Sequence, residues 1–183
     1  MRPTKADLDA ARDRVIPDVL PPDGAPLKVL FCGINPSLYS AATGHHFARP
    51  GNRFWPALHR SGFTDRLLEP CEQHLLPAFG LGITNLAKRA TARADELTDE
   101  ELREGGRRLR ALVERLRPVV LAVAGVTAYR TAFGRPRTRI GPQEEVFGPS
   151  RIWVLPNPSG LNASWSLDRI TEEFARLRET AFA

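Results

Sequence analysis

Apolar residues in this chain fall into two kinds of run. Leu27 to Cys32, Leu81 to Thr84, Val119 to Ala124 and Arg151 to Leu155 are short and nearly continuous, bounded by Gly, Pro or Asn. That is the pattern of strands buried on both faces. Around them lie segments of helical period: Asp7 to Ile16, ended by Pro17; Arg53 to Arg60, capped by Asn52 and carrying Phe54, Trp55 and Leu58 inward; and Val126 to Phe133. The clearest helix opens at Leu97-Thr98-Asp99-Glu100-Glu101 and runs toward Arg117, where Pro118 stops it. Thr98 followed three residues later by Glu101 is a capping-box signature. A last amphipathic helix starts at Ser164 or Ser166 and continues toward Ala181. Strands alternating with helices predict a mainly parallel central sheet covered on both faces, a three-layer α/β/α sandwich. The Pro/Gly-rich stretch Pro21 to Pro26 reads as a linker, which divides the chain into an N-terminal helix and linker (residues 1–26) and a single domain (residues 27–183).

In such sheets ligands gather at the carboxyl ends of the strands. Three runs end there in polar sequence: Gly33-Ile34-Asn35-Pro36-Ser37, Thr84-Asn85 and Pro156-Asn157-Pro158-Ser159-Gly160. One pocket is therefore expected to gather Asn35, Asn85 and Asn157. The stretch from Gly33 to Gly51 reads as a long loop, which in a compact domain is usually functional.

Composition adds a partner and removes several classes. At 183 residues and 42% apolar content, one well-buried domain is expected. Lys and Arg number 26 against 21 Asp and Glu, a net charge of +5, which suits a polyanion such as nucleic acid as well as it suits a merely basic soluble protein. Cys32 and Cys71 read as reduced core thiols, and two cysteines cannot hold a four-cysteine cluster or zinc site. His45, His46, His59 and His74 lack zinc-ligand spacing, so neither metal nor cofactor is expected. The N-terminus lacks an apolar signal segment and no run reaches membrane-spanning length, which predicts a soluble cytoplasmic protein without membrane partners. Neither G-x-G-x-x-G nor a P-loop occurs, against an unrelated nucleotide-binding enzyme.

Four segments, in order and at matching spacing, carry a specific likeness. Gly33-Ile34-Asn35-Pro36-Ser37, Gly44-His45-His46-Phe47 with Gly51-Asn52-Arg53-Phe54-Trp55, Glu104-Gly105-Gly106-Arg107, and Pro156-Asn157-Pro158-Ser159-Gly160-Leu161 resemble the mismatch-specific uracil/thymine DNA glycosylase family. The likeness extends from Val29 to the last helix. Ser37 stands where the family usually has Gly. The loop with His45 and His46 looks like the thymine-active branch, and the second motif looks bacterial. The resemblance implies the uracil-DNA glycosylase fold and a monomer that acts on double-stranded DNA containing G·U or related mispairs. There it would flip uracil out of the duplex and hydrolyse its glycosidic bond at the nucleoid, without a cofactor.

The resemblance also assigns roles. Asn35 would orient the attacking water through its carbonyl oxygen, since a neutral amide barely accepts a proton; as a residue it equally suits a turn before Pro36. Backbone N–H groups near Ile34 and Phe47 would stabilise the departing base anion. Phe47 would stack on the flipped base, or else anchor its loop. Ser40, with Ala41 and Ala42, would leave room near the pyrimidine C5 position. Asn85 and Asn157 would contact the base, although Asn85 also fits a strand-end cap. Leu161 would be the wedge that fills the vacated stack, flanked by Ser159, Gly160 and Asn162, with the backbone of Gly160 and Asn162 facing the widowed guanine. Some relatives carry Arg where this chain has Ala163, which weakens the expected strand grip. Arg49, Arg53 and Ser159 are candidate phosphate contacts. Asp95, with Glu96, is an auxiliary candidate for polarising the water, or an acidic pair at a helix start. The lysines, Lys5, Lys28 and Lys88, lie outside these motifs, so no Schiff-base lyase step is expected.

Overall fold

The computed structural model describes residues 1–183. Five strands form one sheet in the order β2-β1-β3-β5-β4. β1 (Val29–Gly33), β2 (Leu81–Asn85), β3 (Val120–Ala124) and β5 (Ser150–Leu155) run parallel, and β4 (Gly141–Phe147) pairs antiparallel with β5 at one rim. Side chains alternate across the sheet, as the period of a strand requires. Val29 and Phe31 of β1 face one core with Phe54, Leu58, Phe174 and Leu177. Leu30 and Cys32 face the other, with Leu109, Val113 and Tyr129. The helices α3 (Phe54–Arg60) and α6 (Leu167–Ala181) thus cover one face, and α4 (Asp99–Leu116) and α5 (Val126–Phe133) the other. This is the three-layer sandwich expected from the sequence.

Several local expectations give way to tertiary contacts. The first helix, α1, spans only Lys5–Ala10, begun by a Thr4–Asp7 capping box. Asp13 turns into the left-handed region (φ +65°) and donates its N–H to Ala90 O at 2.9 Å. From there the chain runs against the sheet: Val19 exchanges both backbone bonds with Ile83 (2.9 and 2.8 Å), covering the β2 rim. The long loop contains a short helix, α2 (Leu38–Thr43), whose N-cap Ser37 accepts from Ser40 N at 3.0 Å. Ser37 in place of Gly therefore gains a cap without needing left-handed backbone. A 3-10 helix spans Pro70–Phe79, and it leaves Cys71 exposed rather than in the core. β4 is not apparent in the sequence because it is a rim strand with Pro142, charged residues and an irregular register between Pro142 and Val146.

The Gly105-Gly106 pair sets how closely α4 approaches. A Cβ on Gly105 would lie 2.0 Å from Leu86 O, and one on Gly106 would lie 2.9 Å from Ala132 O. Arg108 adds a hydrogen bond to Leu86 O at 3.0 Å. Helix α4 thereby braces the segment that leaves β2, immediately after Asn85.

Candidate active site

β1 and β2 are in register to their ends, with Gly33 opposite Asn85. Beyond the strands the two segments stay zipped together: Leu86 N bonds to Gly33 O (2.9 Å), Ala87 N to Ile34 O (2.9 Å) and Thr91 N to Pro36 O (3.2 Å). Asn35 is fixed between them. Its Nδ2 donates to Arg89 O at 3.0 Å and to Thr91 Oγ1 at 2.8 Å, while Thr91 Oγ1 donates onward to Arg93 O at 2.7 Å. Because a carbonyl only accepts, the amide nitrogen must lie on the Arg89 side. Oδ1, the acceptor end of Asn35, is then left without a partner in the protein. The backing loop is itself anchored: the Arg89 guanidinium bonds to Glu101 (2.5 and 3.1 Å), Asp13 (3.2 Å) and Glu96 O (3.1 Å). The hydrogen bond from Arg89, with help from Thr98 N, holds the Glu101 carboxyl down to about 2.

Facing this, Phe47 adopts φ +53°, an uncommon conformation for an aromatic residue. Such backbone costs roughly 1–3 kcal/mol and persists only when its surroundings impose it. Here both neighbours are tied down. His46 N donates to Gln73 Oε1 (2.7 Å), Trp55 Nε1 donates to His46 O (3.1 Å), and Ala48 N donates to Ser40 Oγ (3.1 Å). One face of the Phe47 ring stacks on Phe54 with centroids 4.2 Å apart. Its edge borders Gly33, where an added Cβ would meet Phe47 Cζ at 3.3 Å and Asn85 Oδ1 at 2.7 Å. Gly33 is thus a bare floor between an aromatic edge and an amide oxygen. The backbone N–H groups of Ile34 and Phe47 have no acceptor within the chain.

Ser40 is spent otherwise than expected. Its hydroxyl accepts from Ser37 Oγ and Ala48 N, clasping the two ends of the loop, and Ala41 packs with Ala11, Ile16 and Ala90.

After β5 the chain folds into a self-bonded turn. Asn157 Oδ1 accepts from Ser159 N (3.0 Å), Ser159 Oγ from Leu161 N (3.2 Å), and Asn162 Nδ2 donates to Asn157 O (3.0 Å). Asn162 has both backbone groups engaged, its N–H with Ser159 O and its carbonyl with Arg53, while those of Gly160 remain unpaired. Gly160 lies against Gly51, where a Cβ would meet Gly51 O at 2.8 Å. At the tip Leu161 is 71% exposed.

Arg53 corrects an expectation. It sits below this turn with its side chain bonded to the carbonyls of Pro158, Ser159, Asn162 and Trp165, and its N–H donates to Pro158 O at 2.9 Å. A guanidinium whose donors are taken by four carbonyls is arranged to hold a loop, not a phosphate. Arg49 is exposed and makes no ion pair, so it remains available to an anion. Asp95 is exposed and paired with Arg93 (3.0 Å), Glu96 bonds to Arg12 and Arg93 N, and neither carboxylate bonds to Asn35 or Asn85.

The family model for the uracil DNA glycosylase superfamily matches residues 21–180. The chain belongs to that superfamily. Its members are DNA glycosylases, hydrolases of base-excision repair that act on DNA. No helix is long and apolar enough to cross a membrane.

Sequence reasoning missed Thr91, Gln73 and His46 as parts of this superfamily member's site. Each contacts a partner far along the chain, and none carries a local spacing that announces it. The signals available were the pairing of Asn-Pro with a polar residue on the neighbouring strand end and, for His46, its place in Gly44-His45-His46-Phe47.

The geometry of Arg53 gives a direct test. Arg53→Ala should lower duplex activity about 10- to 100-fold by freeing the Leu161 turn. The slope of log binding constant against log salt should stay unchanged, whereas loss of one phosphate contact would reduce it by about 0.9. A reduced slope would return Arg53 to the DNA-contacting residues.

Proposed function

We propose that this chain is a monofunctional uracil-DNA glycosylase that acts on G·U mispairs in duplex DNA, leaving an abasic site. The observation that carries this reading is the Asn35 side chain, with its nitrogen tied to Arg89 O and Thr91 and its oxygen left free. A uracil turned out of the stack would lie over Gly33 against Phe47, its Watson–Crick edge toward Asn85. As the C1′–N1 bond breaks, its electron pair passes into the ring and spreads to the carbonyl oxygens. The free N–H groups of Ile34 and Phe47 are placed to stabilise that charge. Asn35 Oδ1 holds a water at the opposite face of C1′; the water oxygen forms the new C1′–O bond and its surplus proton leaves to the medium or the base. With no carboxylate base, the rate rests on proximity and leaving-group quality, so turnover is slow.

Leu161 fills the vacated space, and Gly160, not Asn162, keeps backbone groups to meet the unpaired guanine. Lys88 supports the absence of a lyase step: its Nζ is held by Asp18 (2.8 Å) and Thr84 Oγ1 (3.2 Å).

The test is single-turnover incubation with duplexes holding uracil opposite guanine or adenine, thymine opposite guanine, and single-stranded uracil. Uracil should be released fastest opposite guanine, and the strand should break only after alkali. Intact uracil after long incubation with excess protein would overturn the enzymatic reading and leave a lesion-binding protein.

A further inference from the structure

The base-reading residue of this proposed site does not choose its own orientation. Asn85 is buried, and its Nδ2 lies 3.3 Å from His46 Nδ1. The ring's other nitrogen, Nε2, lies 2.8 Å from Pro17 O. A carbonyl can only accept, so Nε2 must carry the proton. In a neutral ring Nδ1 is then a lone pair, and it can be satisfied only by an N–H of Asn85. Turning the amide over would set Oδ1 against that lone pair. Neutrality follows from burial, the largest cause holding this His below its ordinary pKa; the bond to Pro17 O and the charge of Asp18 oppose it, while Lys88 and His45 add to it. His46 is 2% exposed, and its backbone N–H and carbonyl are engaged by Gln73 and Trp55.

Pro17 is fixed in turn. The next residue, Asp18, is ion-paired with Lys88 at 2.8 Å, and Val19 is paired with Ile83 on β2. A carbonyl in the N-terminal segment thus sets a tautomer, the tautomer sets an amide, and the amide presents Oδ1 beside Phe47 over Gly33.

We infer that His46 and the Pro17 carbonyl form a positioning relay that makes the pocket demand a base with an N–H at ring position 3. Uracil and thymine supply that donor. Cytosine offers a lone pair there, so its rejection is decided by the direction of the relay. This inference rests on the glycosylase reading and adds the source of its ring selectivity.

Two measurements test it. The first compares single-turnover release of 5-fluorouracil and 5-fluorocytosine, each opposite guanine, by the native protein and by His46→Leu. Pairing costs are common to both proteins and cancel in the change of ratio. The relay predicts that the uracil-to-cytosine ratio falls at least ~10-fold in His46→Leu, with a measurable gain in cytosine release, as Asn85 becomes free to turn its NH2 inward. A parallel fall of both rates, an unchanged ratio, or cytosine release that stays undetectable while uracil release falls would each overturn it. The second is independent of activity and of how the variant folds. Long-range proton–nitrogen spectra of the native protein at neutral pH should show His46 neutral and protonated on Nε2; a ring protonated on Nδ1 would overturn the relay. Should the native protein release neither base, the glycosylase reading fails on the first measurement while the tautomer is still decided by the second.

Discussion

Asn35→Ala is expected to lower the single-turnover rate of uracil release about 10²–10⁴-fold, the range spanned by removing one positioned catalytic group, while affinity for an uncleavable G·U analogue duplex changes only a few-fold. The asymmetry follows from where the side chain's two ends go. Nδ2 is bound to Arg89 O and Thr91 Oγ1, and only Oδ1 is available to a water. Truncation also removes two hydrogen bonds from the backing loop, at about 1 kcal/mol each. That loss is small enough to leave a folded protein, because the Arg89 cluster with Glu101 and Asp13 holds the same loop independently. Thermal denaturation beside the kinetics separates the two effects. Equal losses of rate and of binding would mean that Asn35 shapes the loop and performs no chemistry.

Gly105→Ala is expected to destabilise the protein by about 2–3 kcal/mol, near the upper end of what overpacking costs. In an exposed helix the same change would gain about 1 kcal/mol, so the sign itself is diagnostic. The added methyl would sit 2.0 Å from Leu86 O, which is backbone and cannot swing aside. Either α4 lifts from the sheet or the Leu86 segment is pushed back, and Asn85 is the adjoining residue. Gly106→Ala, whose methyl would meet Ala132 O at 2.9 Å, should cost less. Denaturant unfolding measures both. A neutral or stabilising Gly105→Ala would show that the α4 contact is looser than described.

The parts of this molecule legible in its sequence are those whose cause is local. Val119 to Ala124 could hardly be anything but an interior strand, and Thr98 with Glu101 marks the start of α4 to within a residue. The four parallel strands and the sandwich follow from such runs. β4 escaped because a rim strand with Pro142, Glu144 and Glu145 has no apolar signature, and α2 because six residues give too few turns for a period to show. The first helix ends early because Asp13 is captured by Ala90, a partner far along the chain.

The same division holds in the candidate site. Asn35 and Asn85 stand out as polar residues at or just past strand ends, and Phe47 through the family likeness of its motif. Thr91, Gln73 and the Pro17 carbonyl did not, because their meaning depends on what folding brings against them. Arg53 departs from expectation for the same reason: an arginine at a helix start in a basic chain suggests an anion, and only folding brings four carbonyls around it.

Both rims of the sheet are guarded against strand exchange. Val19 occupies backbone groups of β2 on one side, and on the other β4 meets the solvent with a proline, two adjacent carboxylates and a broken register. A protein drawn by its charge to a long polyanion becomes crowded there among copies of itself. With neither flank offering a ready template, close quarters need not turn into fibrils.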